Sequence, residues 1–527
     1  MNLPTEMVFD SLGGKVENAA QVEDFETLKW RPGTGASMAQ ISLEMPHAST
    51  NVPTFVQPEI LKGIVSAAAT DQASLPPLGV SFDHYYVLHD GKVHNPLGAG
   101  SYIYKKEYIS SHIRYLGLPL PATGADKIPH RPLPPSTLII HIGAQPNNSP
   151  HIGTIVVFIL AFLIARDMKK YYADRHRKAD LSTEFAAWID NFEVLVRLDV
   201  VDTAPHNEEG CVRDGINYQR SQRFTKAYHR LLPHYEEIME SAAAFVGGGI
   251  PYKLTNQETV ASMPSVPRII EAIVRDRERL GPELAPETGA LAMRSACPHE
   301  RCGLAEKHGI KNKYSITSSG SAIIEFYCPN HGYHSVDSSN PKEVVRLEFN
   351  TPLRNLVRTF AFGIQTVESR EAAHNAVAHG GAPTRELIHM RVTGSDYAGL
   401  YAEQLLWRQL ILLKPETSGL AIQPPVIAYA PLIQDWAGSK LSKSLYVDKG
   451  AYEYLRATRM GYMLSFGEMK RQGKDHTILF REVERWLDDP RKLFRPYSID
   501  YLHRIFEQEG AKEEAINKMP EQKEVVQ

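Results

Sequence analysis

The sequence predicts an α/β fold, because its core opens with a strand, a loop and a buried helix. Residues 137–142 form a short run of β-branched and other apolar residues. The loop 143–150 is rich in Gly, Pro and Asn. The apolar helix after it ends in the basic stretch 166–170, which suits the negative end of a helix dipole. A second strand is predicted at 192–198. This order of elements is typical of α/β units that bind nucleotides.

Composition and pattern predict seven segments along the chain. They are a partly ordered extension, an N-terminal segment with a Pro-rich connector, the first half of the core, a Cys/His insertion, the second half of the core, a small helical subdomain and a flexible tail. Their boundaries are 1–75, 76–136, 137–290, 291–342, 343–450, 451–510 and 511–527. The pattern is helical through about 215–285, mixes strands and helices at 343–430, and has a Gly/Ser/Lys loop at 438–444.

The composition is that of an ordinary globular protein, since 43% of the 527 residues are hydrophobic, 23% are charged and the formal net charge is -3. The strongly basic balance of proteins that bind nucleic acid in bulk is absent, although a local basic strip would be enough for one such partner. The most apolar run, 155–165, is shorter than the ~20 residues that cross a bilayer, and so predicts a buried helix. The amino terminus lacks the pattern of a secretory signal. A soluble, cytoplasmic protein is expected.

The first candidate phosphate-binding segment, residues 149–154, lies between the predicted strand and helix. A helix that begins here presents unpaired backbone N–H groups and the positive end of its dipole to an anion. Gly153 has no Cβ, so a ligand can approach the backbone closely, and His151 can donate to a phosphate oxygen. Taken alone, the pattern also fits a histidine that caps or packs against its own helix.

The second candidate segment, residues 440–444, follows Gly438 and Ser439. Two lysines three positions apart, Lys440 and Lys443, could close over a triphosphate and neutralise the charge that develops on departing pyrophosphate. A solvated surface loop is the alternative.

The third segment, residues 391–397, contains Gly394 and Asp396. Gly394 permits a close approach to the backbone, and Asp396 could accept a hydrogen bond from a ribose hydroxyl. A plain turn between a strand and a helix would also explain this pattern.

In this order and context, the three segments together resemble the signatures of the class I aminoacyl-tRNA synthetases. Residues 151–154 resemble the HIGH signature, with Thr154 at its fourth position. Residues 440–444 resemble the KMSKS signature, with Leu441 in place of Met. The third segment resembles the glycine–acid motif on the ribose side of ATP in this family.

The resemblance covers about 137–450 and implies a doubly wound parallel sheet with ATP outside the carboxyl ends of its strands. It implies that a carboxylate attacks the α-phosphate and pyrophosphate leaves, with orientation and charge stabilisation as the means of catalysis. ATP, Mg²⁺, an amino acid and a tRNA acceptor end are the implied ligands. The implied catalytic residues are His151, Lys440 and Lys443, and His151 and Lys443 are expected on opposite sides of one pocket. The implied ATP-binding residues are Gly143, Pro150, His151, Gly153, Thr154, Gly394, Asp396, Lys440, Ser442, Lys443 and Ser444.

A Cys/His cluster in the insertion predicts a structural zinc site. The spacings Cys-x4-Cys and Cys-x2-His could place three thiolates and one imidazole around a tetrahedral zinc. The predicted ligands are Cys297, Cys302, Cys328 and His331. His299 could replace one of them, and a group of buried or reactive cysteines is the alternative. Cys211 is isolated and predicts an ordinary core or loop cysteine, and so few cysteines argue against a disulfide framework.

An insertion rich in cysteine between the two signatures, followed by residues 345–354, most resembles the class I lysyl-tRNA synthetases. That branch continues into a large helical anticodon-binding domain, whereas here only 445–527 follow, enough for a small helical subdomain. Three functions therefore stay open. The first is an aminoacyl-tRNA ligase that reads the acceptor end of its tRNA. The second is a tRNA-independent ligase that forms an amide or ester with a small acceptor. The third is an inactive core used for binding or regulation.

Overall fold

A computed structural model describes most of the chain from residue 108 onward. The described residues are 108–120, 133–178, 181–379, 381, 384–413, 422, 425–441, 452–489, 492–493 and 495–517. The predicted extension 1–75, most of the Pro-rich connector, and Ser442, Lys443 and Ser444 lie outside them.

Fifteen strands lie within the described residues. They are β1 (Ser136–Ala144), β2 (Glu193–Val200), β3 (Pro205–Arg213), β4 (Ile216–Ser221), β5 (Tyr252–Asn256), β6 (Met293–Ser295), β7 (Ala305–Glu306), β8 (Lys313–Ile316), β9 (Ala322–Cys328), β10 (Gly332–Asp337), β11 (Leu347–Phe349), β12 (Glu386–Gly394), β13 (Val426–Ala430), β14 (Ile433–Gln434) and β15 (Tyr497–Ser498).

The α-helices of the described residues surround these strands. They are α1 (Tyr108–Tyr115), α2 (Ile152–Lys178), α3 (Thr183–Asn191), α4 (Gln222–Thr225), α5 (Leu232–Phe245), α6 (Gln257–Ala261), α7 (Val266–Arg275), α8 (Arg277–Leu284), α9 (Pro341–Val344), α10 (Thr351–Ala378), α11 (Leu400–Ala402), α12 (Arg408–Leu412), α13 (Glu453–Ala457), α14 (Phe466–Arg471), α15 (Thr477–Asp488) and α16 (Ile499–Asn517). None of the described helices is both long and apolar enough to cross a membrane.

The central sheet has five parallel strands in the order β13-β12-β1-β2-β5. Numbered along the chain and read from the β5 edge, this is the order 3-2-1-4-5 of a doubly wound sheet. The direction of winding reverses between β1 and β12, which are direct neighbours. In open sheets of this kind, ligands bind outside the carboxyl ends of the strands at such a reversal. The predicted α/β fold with a parallel sheet is therefore confirmed.

Helix α2 covers one face of the sheet and contains the apolar run 155–165. Ile155, Phe158, Phe162 and most of the other residues of the run are fully buried, packed with Leu138 and other side chains of β1. Full burial of one such side chain stabilises the fold by roughly 1.5–3 kcal/mol. The buried helix that the sequence predicts is confirmed, although it continues past residues 166–170 to Lys178.

Helix α10 covers the opposite face and belongs to a second hydrophobic cluster. Its side chains Leu353, Phe360 and Ile364 pack with α7 and with strands of the insertion. Side chains alternate across β1, so Ile140 faces α2 while His141 faces α10 and stacks on Phe362. This face of the sheet carries the cleft described below.

One part of the predicted pattern is wrong. The helical pattern predicted through 215–285 is interrupted by β4 and by β5, which is the edge strand of the central sheet. Strand β5 has the polar sequence YKLTN and is only half-buried, so it lacks the apolar run that reveals a central strand. Helix α16 extends to Asn517 and so includes the first residues of the tail predicted from 511, whose flexibility stays a prediction.

Candidate functional site

The turn that carries His151 lies between β1 and α2, at the carboxyl end of β1. The backbone N–H of Gly153 donates to Nδ1 of His151 over 3.0 Å, so Nδ1 is an acceptor and Nε2 carries the ring proton. A Cβ on Gly153 would lie 2.9 Å from Cε1 of His151, closer than side chains approach one another. His151 therefore caps its own helix, and Nε2 is the donor atom of its ring.

The loop before His151 is held by helices far along the chain. The backbone N–H of Phe466 donates to the carbonyl of Pro150 over 2.7 Å. The hydroxyl oxygen of Ser149 accepts from the N–H of Gly467 over 3.1 Å and lies 2.9 Å from Nδ1 of His234. Helices α5 and α14 thus fix the start of α2. No local signal in the sequence indicates these partners.

Gly394 and Asp396 lie where β12 ends, beside the end of β1. A Cβ on Gly394 would collide with Oδ1 of Asp396, so glycine is needed for the observed position of that carboxylate. The carboxylate of Asp396 forms an ion pair with Nζ of Lys440, whose side chain is 44% exposed. Lys440 also lies 5.8 Å from the centre of the Tyr397 ring.

Lys440 is placed by a tight turn after β14. The N–H groups of Ala437 and Ser439 both donate to Oδ1 of Asp435 over 2.9 Å, and Leu441 N–H donates to the carbonyl of Ile433 over 2.8 Å. Ile433 reaches the start of α2, since its Cγ1 would lie 3.7 Å from a Cβ on Gly153. The turn therefore brings Lys440 to the edge of the sheet where α2 begins.

The structure collects the described members of the predicted ATP site at one edge of the sheet. Gly143 lies one residue before the end of β1, and Gly394 ends β12. Pro150 and His151 lie in the loop after β1, Gly153 and Thr154 lie in the first turn of α2, Asp396 follows β12, and Lys440 lies in the turn after β14 and pairs with Asp396. Ser442, Lys443 and Ser444 lie outside the described residues, so the arrangement expected for His151 and Lys443 stays a prediction.

We expect Gly394→Ala to weaken ATP binding about tenfold, the effect of losing a hydrogen bond that involves a charged group. The added methyl group would force Asp396 to rotate away from Lys440. The free energy of unfolding should change by less than about 1 kcal/mol, because only a side-chain end has to move. Calorimetric titration with ATP and urea unfolding measure the two quantities. Gly249→Ala is the control, since its Cβ would meet nothing within 4 Å. ATP titration curves that match the wild type would remove Asp396 from the predicted ATP site.

A cleft that the sequence analysis missed lies between the sheet and α10, with an empty volume of about 890 Å³ including its mouth. At its floor, three side chains are linked by hydrogen bonds. Oδ2 of Asp199 lies 2.9 Å from Nδ1 of His141, and Nε2 of His141 lies 2.8 Å from Nδ1 of His389. Phe362 stacks on both imidazole rings, with centroids 4.2 and 4.8 Å away. These residues come from four elements widely separated in sequence, so no local motif indicates them.

Both histidines of the cleft are neutral near pH 7. Burial, together with Arg197, lowers the pKa of His141 to about 4, and burial and His141 hold the pKa of His389 well below its usual range. Burial alone would raise the pKa of Asp199, but Arg358, His141 and Arg197 hold it well below its usual range. The carboxylate is therefore ionised and the two rings are uncharged.

We expect the free energy of unfolding to fall as the pH drops from about 6.5 to about 4. Unfolded histidines bind protons near pH 6.5, whereas the pKa of buried His112 and that of His141 are lowered to about 4. The unfolded chain therefore takes up more protons in this window, and each such histidine removes up to ~3 kcal/mol. Urea unfolding between pH 7.5 and 4.5 measures the slope. His112→Gln should reduce it, and a change of the partly exposed His176 to Gln should not. A flat profile would contradict neutral burial.

The Cys/His cluster converges as the sequence predicts. Sγ of Cys297 lies 3.4 Å from Nδ1 of His331, Sγ of Cys302 lies 3.6 Å from Sγ of Cys328, and all four ligand atoms lie within 4.8 Å of one another. Ligands about 2.3 Å from a tetrahedral zinc would be separated by ~3.8 Å, so these distances suit that metal. Burial raises the pKa of the Cys297 thiol to about 12, which makes a thiolate there costly without a nearby positive charge.

Backbone turns and one arginine support the cluster. Arg301 and Gly303 have left-handed backbone conformations, with φ of 62° and 60°. Nε of Arg220 donates to the carbonyl of Cys302 over 2.7 Å. The ring of His299 stacks on that of His331 with centroids 4.0 Å apart. Cys211 lies on β3, outside the cluster.

No family model and no curated protein matches the sequence. Solved structures with partial similarity include the glutamate-tRNA synthetase from Elizabethkingia anophelis, at 12% identity and a TM-score of 0.22, with 60% of this chain and 54% of that chain covered. The arginyl-tRNA synthetase of Thermus thermophilus has 12% identity and a TM-score of 0.23, with 75% of this chain and 63% of that chain covered.

The chain thus spans about half the length of the glutamate-tRNA synthetase that it resembles. A putative arginyl-tRNA synthetase from Campylobacter jejuni has 10% identity and a TM-score of 0.21, with 62% of this chain and 63% of that chain covered. At these identities and scores we draw no functional conclusion from the likeness, and the lysyl branch gains no support from it.

Proposed function

We propose that this protein is an ATP-dependent ligase that forms an aminoacyl adenylate at the carboxyl edge of its central sheet. The observation that supports it best is that three segments lie close together at the carboxyl ends of β1 and β12. They are the capped start of α2 with His151, the Gly394–Asp396 turn, and the turn that carries Lys440. The strand order makes this edge the expected ligand site of a doubly wound sheet.

In the proposed reaction, a carboxylate oxygen of the amino acid attacks the α-phosphorus of ATP. The new O–P bond forms as the bond to the bridging oxygen of the β-phosphate breaks, and pyrophosphate leaves with that oxygen. Nε2 of His151 and the N–H groups at the start of α2 would donate to phosphate oxygens. When ATP binds, Lys440 would leave its ion pair with Asp396 and pair with the phosphates. The Asp396 carboxylate could then accept a hydrogen bond from a ribose hydroxyl.

Two metal ions belong to the proposal. Mg²⁺ would accompany ATP, and it would be held chiefly by phosphate oxygens, since the only group of metal-ligand side chains among the described residues is the Cys/His cluster. The donor set of that cluster fits zinc. Its role would be to join the two turns of the insertion, because Cys297, Cys302, Cys328 and His331 would fill all four positions.

The proposed transfer of the aminoacyl group goes to the acceptor end of a tRNA, the function implied by the sequence signatures. Transfer to a small acceptor remains the alternative, and no feature of the described residues favours it.

Exchange of labelled pyrophosphate into ATP across the twenty amino acids, with and without total tRNA, tests the proposal. We expect exchange with one amino acid or a small group. Activity only with tRNA favours the tRNA ligase, and charging of that tRNA confirms it. Exchange without tRNA together with no charging favours the small-acceptor ligase. No exchange under any of these conditions would contradict the enzymatic function.

A further inference from the structure

Arg358 and Arg391 line the cleft between the sheet and α10, and Arg197 and Arg354 act electrostatically on Arg358 or are acted on by it. Two of these four arginines, Arg197 and Arg358, approach the carboxylate of Asp199. Nε of Arg197 donates to Oδ1 of Asp199 over 3.1 Å, and Nη2 of Arg358 lies 3.8 Å from Oδ2 of the same group. Burial lowers the pKa of both Arg354 and Arg358, and Arg391 lowers it further in each case, which places the three guanidinium groups within electrostatic reach of one another. Within the described residues, the positive charge here exceeds the negative charge.

Several N–H groups of these arginines are buried without a hydrogen-bond partner. They are Nη2 of Arg197, Nε of Arg354, and Nε and Nη2 of Arg358. Arg354 and Arg358 are both buried, with 6% and 9% of the residue surface exposed. Buried charges are normally paired and buried donors normally satisfied, because both are costly otherwise. An anionic ligand would supply the missing counter-charge and the missing acceptors.

The histidine chain gives the same cleft one acceptor. The ionised carboxylate of Asp199 can only accept, so Nδ1 of His141 carries a proton and its Nε2 must accept from Nδ1–H of His389. Nε2 of His389 is then a bare acceptor, and it is buried without a partner. It suits an ammonium or another N–H donor of a ligand.

Between these polar groups the wall of the cleft is aromatic. Phe362 stacks on both imidazole rings, and the guanidinium carbon of Arg197 lies 5.1 Å from its centre. An apolar surface of this kind packs well against a few methylene groups. The matching ligand has a short carbon chain with an anionic group at one end and an N–H donor at the other.

We propose that this cleft binds a dicarboxylic amino acid, with one carboxylate at Arg358 and its ammonium donating to Nε2 of His389. The inference rests on the proposed function in one respect, since a carboxylate of this ligand would be the one that attacks ATP. Gly143 lines the cleft and lies one residue before the end of β1, at the edge of the proposed nucleotide site. A Cβ on Gly143 would lie 3.6 Å from Nη1 of Arg358, so the Arg358 end of the cleft is close to that edge.

Calorimetric titration of the full chain with L-glutamate, L-aspartate, L-glutamine and L-lysine tests this assignment. We expect at least one of the two acidic amino acids to bind about tenfold or more tighter than glutamine, which has the shape of glutamate without its charge. Arg358→Gln should remove most of this preference. Its thermal unfolding midpoint should be unchanged or higher, because one surplus positive charge is lost. A purely structural arginine would lower the midpoint.

Two further variants sharpen the experiment. Arg391→Gln should also reduce the preference and serves if the first variant does not fold. Arg385→Gln is the matched control, since this arginine lies at the opposite, amino end of the same sheet and pairs with Glu193. It should leave the preference intact.

Equal binding of glutamine or lysine, or an unchanged preference in the Arg358 variant, would overturn the assignment. So would a loss of ATP affinity in that variant with no binding of either acid, which would assign the arginines to nucleotide phosphates. The two proposals fail separately. Pyrophosphate exchange with lysine alone would support the adenylate function and reject the acidic substrate. Binding of an acidic amino acid without any exchange would support the assigned ligand and reject the adenylate function.

Discussion

Replacing Lys443 with alanine is expected to slow adenylate formation about 10²–10³-fold, the typical effect of removing one group that stabilises charge in a transition state. Lys443 is the second lysine of its loop and follows Lys440 by three positions. Negative charge grows on the pyrophosphate as it departs, so a lysine placed there contributes more in the transition state than in the ground state. The dissociation constant of ATP should therefore change much less than the rate.

Single-turnover release of pyrophosphate at saturating ATP measures this effect. Lys474→Ala is a matched control, because Lys474 lies after α14 and pairs with Glu507 much as Lys440 pairs with Asp396. The control should keep the wild-type rate. A Lys443 variant with that same rate would remove Lys443 from the mechanism and weaken the enzymatic function as a whole.

Replacing Cys297 with serine is expected to abolish stoichiometric zinc binding and to unfold the insertion locally. The thiolates and imidazole of the cluster are spaced for one tetrahedral ion, and binding of structural zinc supplies roughly 10–16 kcal/mol of apparent free energy in small zinc domains. The three-stranded sheet β8–β10 is small, and Cys328 ends its central strand. Loss of the ion should therefore expose this sheet to solvent more than it affects the edge that holds His151.

Elemental analysis and hydrogen exchange measure the two parts of this prediction. Wild type should carry one zinc per chain, and the variant should lose both zinc and the protection of amides in 291–342. Cys211→Ser is the control, because Cys211 lies on β3 outside the cluster and should leave the zinc content unchanged. Carefully prepared wild-type protein without stoichiometric metal would end the zinc assignment.

The sequence reveals those elements whose signals are local. Strand β1 and helix α2 are predicted because each contains a continuous apolar run that is buried, and β2 because its apolar residues alternate over most of its length. The metal cluster is predicted because its ligands come in two short pairs whose spacing directly reflects the geometry of a turn. Strand β5 escapes prediction because an edge strand needs little apolar surface.

The cleft behind the sheet could not be predicted from the sequence. Asp199, His141, His389 and Arg358 lie on separate elements. The parallel register of β1, β2 and β12 brings the first three together, and the packing of α10 on the sheet adds Arg358. Each of them alone resembles an ordinary charged or polar residue of a strand or helix. Their chemistry depends on burial and on mutual distance, which no short pattern of residues encodes.

The hydrogen bonds from α14 to the loop before His151 limit how far the protein can be shortened. A truncated chain that stopped at residue 450 would keep every signature of the nucleotide edge, yet it would lack the backbone donors of Phe466 and Gly467 that tie down Pro150 and Ser149. The start of α2 would then lose these hydrogen bonds and be less firmly positioned. We therefore expect a minimal fragment with the proposed activity to extend at least through Arg471, and insertions or fusions near α14 to reduce that activity from a distance.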